Sequence, residues 1–130
     1  NAMITRAYDY VGTTPYIWDY SCAPGVGVDC VGLVMQCLYA TGMNLGRYTL
    51  WDHYYTPGHD HYANDMWNDP KFKHLSFSQR QRGDLICYKG HIAIYIGNDQ
   101  IIEASSPRNG VRVHSVYVGY EIRGVLRPFV

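Results

Sequence analysis

Asp29-Cys30-Val31-Gly32-Leu33-Val34-Met35-Gln36-Cys37-Leu38-Tyr39-Ala40-Thr41-Gly42 is the stretch on which the reading of the fold turns. Asp29 suits an N-cap. Leu33, Val34, Cys37 and Leu38 share one face, Val31, Met35 and Tyr39 share another, and Gly42 stands at the expected stop. A helix apolar nearly all round is a buried one. Gly32 near its start costs about 1 kcal/mol against Ala in an exposed helix, which predicts a close approach to the backbone there. Upstream, residues 4–28 end in a loop punctuated by Thr14-Pro15 and by Ala23-Pro24-Gly25-Val26-Gly27.

After Gly83 the texture changes to short β-rich runs: Leu85–Tyr88, His91–Ile96, Gln100–Ala104, Val111–Val116 and Gly124–Arg127. Lys89-Gly90, Gly97-Asn98-Asp99 and Asn109-Gly110 separate them as tight turns, so the strands are expected to be antiparallel. A helical first half followed by a strand-rich second half is the α+β pattern: N-terminal helices packed on a C-terminal antiparallel sheet of about five strands. Between the halves, Tyr48–Trp67 is rich in His, Asp and Tyr without a clear period. A structureless loop of that length is unusual in a compact domain, which predicts a short helix near His61–Trp67.

Composition narrows the function by exclusion. The 130 residues carry 11 basic and 11 acidic side chains, a formal charge of +0, and 47% hydrophobic residues. That describes one globular domain, read as residues 4–130, and excludes the strongly basic face of a nucleic-acid binder or a polybasic membrane surface. No run approaches the ~18–20 consecutive apolar residues of a membrane span. Asn1-Ala2-Met3 reads as a remnant of tag cleavage followed by an initiator Met, so the lack of a signal peptide in this chain carries little information.

Four cysteines at 22, 30, 37 and 87 follow neither a CxxC pattern nor a disulfide framework. Cys30, as first residue of the buried helix, sits where unpaired N–H groups and the positive end of the macrodipole favour a thiolate. A thiol nucleophile needs a base, and His91 opens the strand after the Lys89-Gly90 turn. Imidazole needs an acceptor for its second nitrogen, and pairing about the Gly97–Gln100 turn brings Glu103 close to His91. Cys30, His91 and Glu103 together give the order of a thiol protease triad. The plainer reading of a helix-start cysteine is a small buried hydrophobe. Cys37 and Cys87 read as core residues, Cys22 as an incidental loop thiol, and Lys89, Arg108 and Arg112 as ordinary surface charges.

At these residues the chain resembles the NlpC/P60 family of papain-like cell-wall peptidases. Thr14-Pro15-Tyr16 followed by Gly27-Val28-Asp29-Cys30-Val31-Gly32-Leu33 is similar to its Pro-Tyr and Asp-Cys-Ser-Gly-Leu signature. Arg82-Gly83-Asp84-Leu85 is similar to its Gly-Asp-Leu strand, and His91–Gly97 to its His-Val-Gly-Ile-Tyr-Ile-Gly strand. Ile102-Glu103-Ala104-Ser105 falls where the family usually shows Ile-His-Ala-Ser.

The resemblance implies a truncated papain-like fold and hydrolysis of peptidoglycan stem peptides, most often at the bond from γ-D-glutamate to a diamino acid. It implies Cys30 as nucleophile, His91 as base and acid, and Glu103 in the third position. It places Tyr16, Asp29 and Ser105 in the substrate and oxyanion set, with Asp29 meeting a stem's free amine. It implies no cofactor and action outside the cytoplasm, at the wall or in the periplasm. The Gly-Val-Gly-Val-Asp-Cys form is similar to the phage and prophage tail branch, which implies a virion or other wall-targeting domains as partners.

Two positions depart from the family: Val31 replaces the usual Ser, and Glu103 replaces His, Asn or Gln. The competing readings are a CHAP-type amidase or endopeptidase and a wall-binding module without catalysis. The cluster Asp52, His53, His59, Asp60, His61 and Asp65 has the donor types for a divalent ion but a spacing that fits no known site. It reads as solvated surface or a groove wall rimmed by Tyr54, Tyr55, Tyr62 and Trp67, with no metal expected.

Overall fold

A computed structural model of the chain describes residues 2–17, 24–41, 67, 72–105 and 110–128. Helix α1 (Ala2–Tyr10) turns Met3, Ile4, Ala7 and Tyr10 inward at helical spacing. Met3, read from sequence as an initiator outside the 4–130 domain, is fully buried. Helix α2 (Cys30–Tyr39) begins where the sequence places it. Asp29 is extended and accepts the Gly32 N–H at 2.7 Å, satisfying one of the donors a helix start leaves open. Ala40 and Thr41 N–H groups close the helix on the Gln36 and Leu38 carbonyls. Gly42, the expected stop, lies outside the described residues.

Among the described residues six strands form one antiparallel sheet: β1 (Lys73–Leu75), β2 (Leu85–Tyr88), β3 (His91–Gly97), β4 (Gln100–Ser105), β5 (Gly110–Ser115) and β6 (Ile122–Arg127), in the order β1-β6-β2-β3-β4-β5. The five expected strands are all present. The sixth, β1, is a three-residue edge strand with Lys73 and His74 exposed, too short and too polar to show a period. Asn98 and Asp99 both take positive φ, 53° and 57°, the pair of left-handed residues that lets a two-residue turn match the twist of β3 and β4. Within β6, a Cβ on Gly124 would stand 2.9 Å from the Leu75 carbonyl oxygen, so the β1–β6 pairing requires glycine there.

The helices pack on one face of the sheet. Met3, Leu33, Val34, Leu38, Leu85, Ile92, Ile94, Ile102 and Leu126 belong to that core. The opposite face carries a smaller cluster of Ile86, Tyr88, Ala93, Tyr95, Ile101, Val116 and Val125. The outer ladder of β5 is taken up by the loop after α1: Gly12 N–H donates to the Val111 carbonyl at 3.1 Å, and Val111 N–H donates to the Thr14 carbonyl at 3.2 Å. Buried Asp84, of the Gly-Asp-Leu motif, receives both arms of Arg127, Nε on Oδ1 and Nη2 on Oδ2, each at 2.9 Å. The Gln81 N–H adds a third bond at 2.7 Å. The motif therefore pins the last strand to the start of β2.

Candidate active site

The segment 15–17 brings the first part of the site together. Val28 N–H donates to the Pro15 carbonyl and Ile17 N–H to the Val28 carbonyl, a single parallel bridge that sets Tyr16 beside Val28. Two residues later α2 starts, and Cys30 packs at 8% exposure against the beginning of β3. Backbone N–H groups of Ile92, Val31 and Cys30 itself reach its sulfur. The sulfur therefore lies against the residue that follows His91 in the chain.

Burial pushes the Cys30 thiol up to about 12, Asp29 adds to the rise, and the three N–H groups oppose it without prevailing. This corrects the expectation of a thiolate at the helix start: desolvation outweighs the helix end, so Cys30 is a protonated thiol until a base takes its proton. Cys37, in the core, is also pushed to about 12 by burial. Acidity does not set Cys30 apart. Its neighbours do.

His91 is 6% exposed and opens β3. Its Nε2 meets Glu103 Oε1 at 2.7 Å. An ionised carboxylate only accepts, so Nε2 carries the hydrogen and, in the neutral ring, Nδ1 is left as the basic nitrogen. Glu103, on β4 and 1% exposed, gives its other oxygen, Oε2, to Arg112 on β5, with Nη2 at 2.8 Å and Nε at 2.9 Å. Glu103 and Arg112 are direct cross-strand partners. Burial pushes the Glu103 carboxyl up. The His91 hydrogen bond and the charges of His91 and Arg112 outweigh that and hold it below the usual carboxylate range.

Arg112 is thus no ordinary surface charge. The tight turn expected at Asn109-Gly110 hides it in the sequence, because Gly110 instead opens β5 and pairs with Ser105. Once Ser105 pairs with Gly110, Arg112 must fall opposite Glu103. Lys89 is exposed, as expected, and Arg108 lies outside the described residues. Tyr120, which no motif marked, is 44% exposed in the β5–β6 connection, with its ring centroid 5.0 Å from that of His91. Tyr88 flanks the imidazole at 5.6 Å and donates its hydroxyl to the Val116 carbonyl at 2.6 Å.

Of the expected substrate set, the half-buried Tyr16 has its hydroxyl raised first by burial, then by the proximity of Cys30, Asp29 and Tyr120, so it is a neutral donor beside the thiol. Asp29 is buried, and its carboxylate serves as the helix cap. Ser105 is 6% exposed and ends β4, on the same face as Glu103. Val31, where the family has Ser, is 1% exposed and packs in the core. The cluster at 52–65, Cys22 and the helix expected from His61 onward lie outside the described residues, except for the helical Trp67. Among the described residues no group of three or more His, Cys, Asp or Glu side chains is arranged to hold a metal, and no helix is long and apolar enough to cross a membrane.

The family model for NlpC/P60 matches residues 5–127. The chain belongs to the NlpC/P60 family. It is similar to peptidoglycan endopeptidase RipA of Mycolicibacterium smegmatis, 30% identical over 88% of this chain and 22% of that protein. It is also similar to protein P54 of Enterococcus faecium, 30% identical over 88% of this chain and 20% of that protein. The chain therefore spans about a fifth of these relatives. Among solved structures, the peptidoglycan hydrolase RipB of Mycobacterium tuberculosis superposes with a TM-score of 0.76 at 27% identity, over 99% of this chain and 64% of that one. RipD of the same organism, described as a non-catalytic NlpC/p60 domain protein adapted to peptidoglycan binding, shares the fold with a TM-score of 0.72 at 22% identity, over 99% of this chain and 95% of that one. Proteins of this family thus include ones named as peptidoglycan endopeptidase or hydrolase, RipA and RipB, and one described as non-catalytic, RipD.

Proposed function

We propose that residues 4–130 form a cysteine endopeptidase domain that cleaves peptidoglycan stem peptides, at the bond between γ-D-glutamate and the diamino acid. The observation that supports this most is the meeting of three elements: the first residue of α2 lies against the start of β3, and His91 there is held through Nε2 by Glu103, which leaves Nδ1 to take a proton. In this reading His91 accepts the Cys30 proton and the thiolate attacks the scissile carbonyl. The resulting oxyanion lies near the Cys30 backbone N–H and the Tyr16 hydroxyl. Imidazolium returns the proton to the leaving amine, releasing it and leaving a thioester. His91 then deprotonates a water that attacks the thioester, and the thiol is restored. Asp29 and Ser105 complete the substrate-binding set around Tyr16. Glu103 is a working third residue, with Arg112 as its charge partner. The place of action is the cell wall, reached through further domains or a virion.

Mass spectrometry of muropeptides after incubation with the wild type and with Cys30→Ala tests this. New fragments split at the γ-D-glutamyl bond, formed by the wild type alone, are the expected result, and identical spectra would sink it.

A second reading, a wall-binding module without catalysis, is favoured by one observation: burial that keeps the Cys30 thiol protonated. Iodoacetamide separates the two. Labelling of Cys30 faster than Cys22 near neutral pH marks a base-activated nucleophile, and labelling no faster marks the binder.

A further inference from the structure

Next to the candidate triad, where the loop after α1 meets the start of β5, lies a groove of about 380 Å³ lined by Gly12, Thr13, Pro15, Gly110 and Arg112 among others. Most polar groups of its wall are already engaged. Gly12 N–H and the Thr14 carbonyl bond the Val111 backbone, the Thr13 hydroxyl donates to the Asp9 carbonyl at 2.9 Å, and the Thr14 hydroxyl accepts the Gly25 N–H at 2.9 Å. Arg112 is the one charged side chain among the described lining residues. Two of its five N–H groups are on Glu103 Oε2, and among the described residues the other three meet no acceptor. A guanidinium a quarter exposed, half engaged with a buried carboxylate and bordering a groove, is a place for a second carboxylate.

Direction and reach narrow the ligand. In the proposed reaction His91 protonates the leaving amine, so the leaving half of a peptide lies on the His91 side of Cys30. The series His91, Glu103, Arg112 then runs outward over β3, β4 and β5. Two strand spacings of ~4.8 Å put Arg112 roughly 10 Å from the β3 backbone, which is about three residues of extended chain.

We infer that this groove binds the C-terminal carboxylate of the leaving peptide, two or three residues beyond the cleaved bond, through the N–H groups of Arg112 that Glu103 leaves free. This assignment rests on the endopeptidase reading for its direction, and binding without turnover separates the two. With the Cys30→Ala protein, isothermal titration compares the stem tetrapeptide L-Ala-γ-D-Glu-L-Lys-D-Ala bearing a free C-terminus with its C-terminal amide. The acid is expected to bind about tenfold more tightly, as for a charge-assisted bond in a partly exposed site.

Adding Arg112→Met should reduce that ratio to within about twofold. Thr13→Glu in place of Arg112→Met should do the same, because it puts a carboxylate beside Arg112 at an exposed position without touching Glu103; this second variant decides the matter if Arg112→Met does not fold. Equal affinity for acid and amide, or a preference that survives Thr13→Glu, overturns the assignment. So does glutarate that displaces the peptide at matched concentration, since the groove would then accept any small carboxylate. Loss of cleavage by the wild type with the acid preference intact would instead refute the endopeptidase reading and leave the groove standing.

Discussion

Among the described residues two buried carboxylates meet arginines in this sheet, and they are used differently. Asp84 gives one oxygen to each arm of Arg127 and takes the Gln81 N–H as well, so its bonding capacity is spent on holding β6 to the start of β2. Glu103 gives one oxygen to Arg112 and the other to His91. The first is a closed fork that fixes the fold. The second is an open one, in which the arginine balances the charge and leaves an oxygen free to orient an imidazole that must gain and lose a proton. A carboxylate–arginine motif thus marks structure or chemistry according to where its second oxygen goes.

The strongest way to break the comparison is Asp84→Asn. It takes the charge from the partner of a part-buried Arg127 and should lower stability by about 1–3 kcal/mol in chemical denaturation, while the molecules that remain folded keep their activity. The reverse pattern is expected at Glu103. Glu103→Ala should lower kcat/KM roughly 10²–10⁴-fold on a stem peptide, and Glu103→His should retain clearly more. Equal, full activity in both variants would remove Glu103 from the mechanism.

A smaller effect lies in pH. The Glu103 carboxyl is held below its ordinary range in the fold, so its contribution is complete above the unfolded value near 4.5 and is lost as pH falls through the lower folded one. Thermal unfolding of the wild type should therefore fall more steeply below about pH 4.5 than that of Glu103→Gln. Smallest is Lys89→Ala, an exposed charge away from both forks, expected to change stability by less than about 0.5 kcal/mol.

The parts of the molecule that were legible in the sequence are those with local signals. Asp29 announces the start of α2 through cap chemistry, and the Gly-punctuated runs announce five of six strands. Cys30, His91 and Glu103 could be brought together because a two-residue turn fixes the register of β3 on β4. What stayed hidden depends on distance in the chain. Arg112 becomes Glu103's partner because Gly110, which reads in sequence as part of a tight turn, opens β5 and pairs with Ser105, and Tyr120 reaches His91 from a connection with no motif. The protonation of Cys30 is hidden in the sequence for a related reason. A helix start is visible in sequence, whereas the burial that outweighs it is a property of the packed whole.

The loop from Gly12 to Thr14 does for β5 what a seventh strand would do. Without the first fifteen residues, the ladder of β5 would stand open along its outer side, a template on which a strand of a neighbouring molecule could add. The N-terminal segment is therefore also a guard against self-association, and a chain cut after it would lose the buried α1 residues Met3, Ile4, Ala7 and Tyr10 together with that guard.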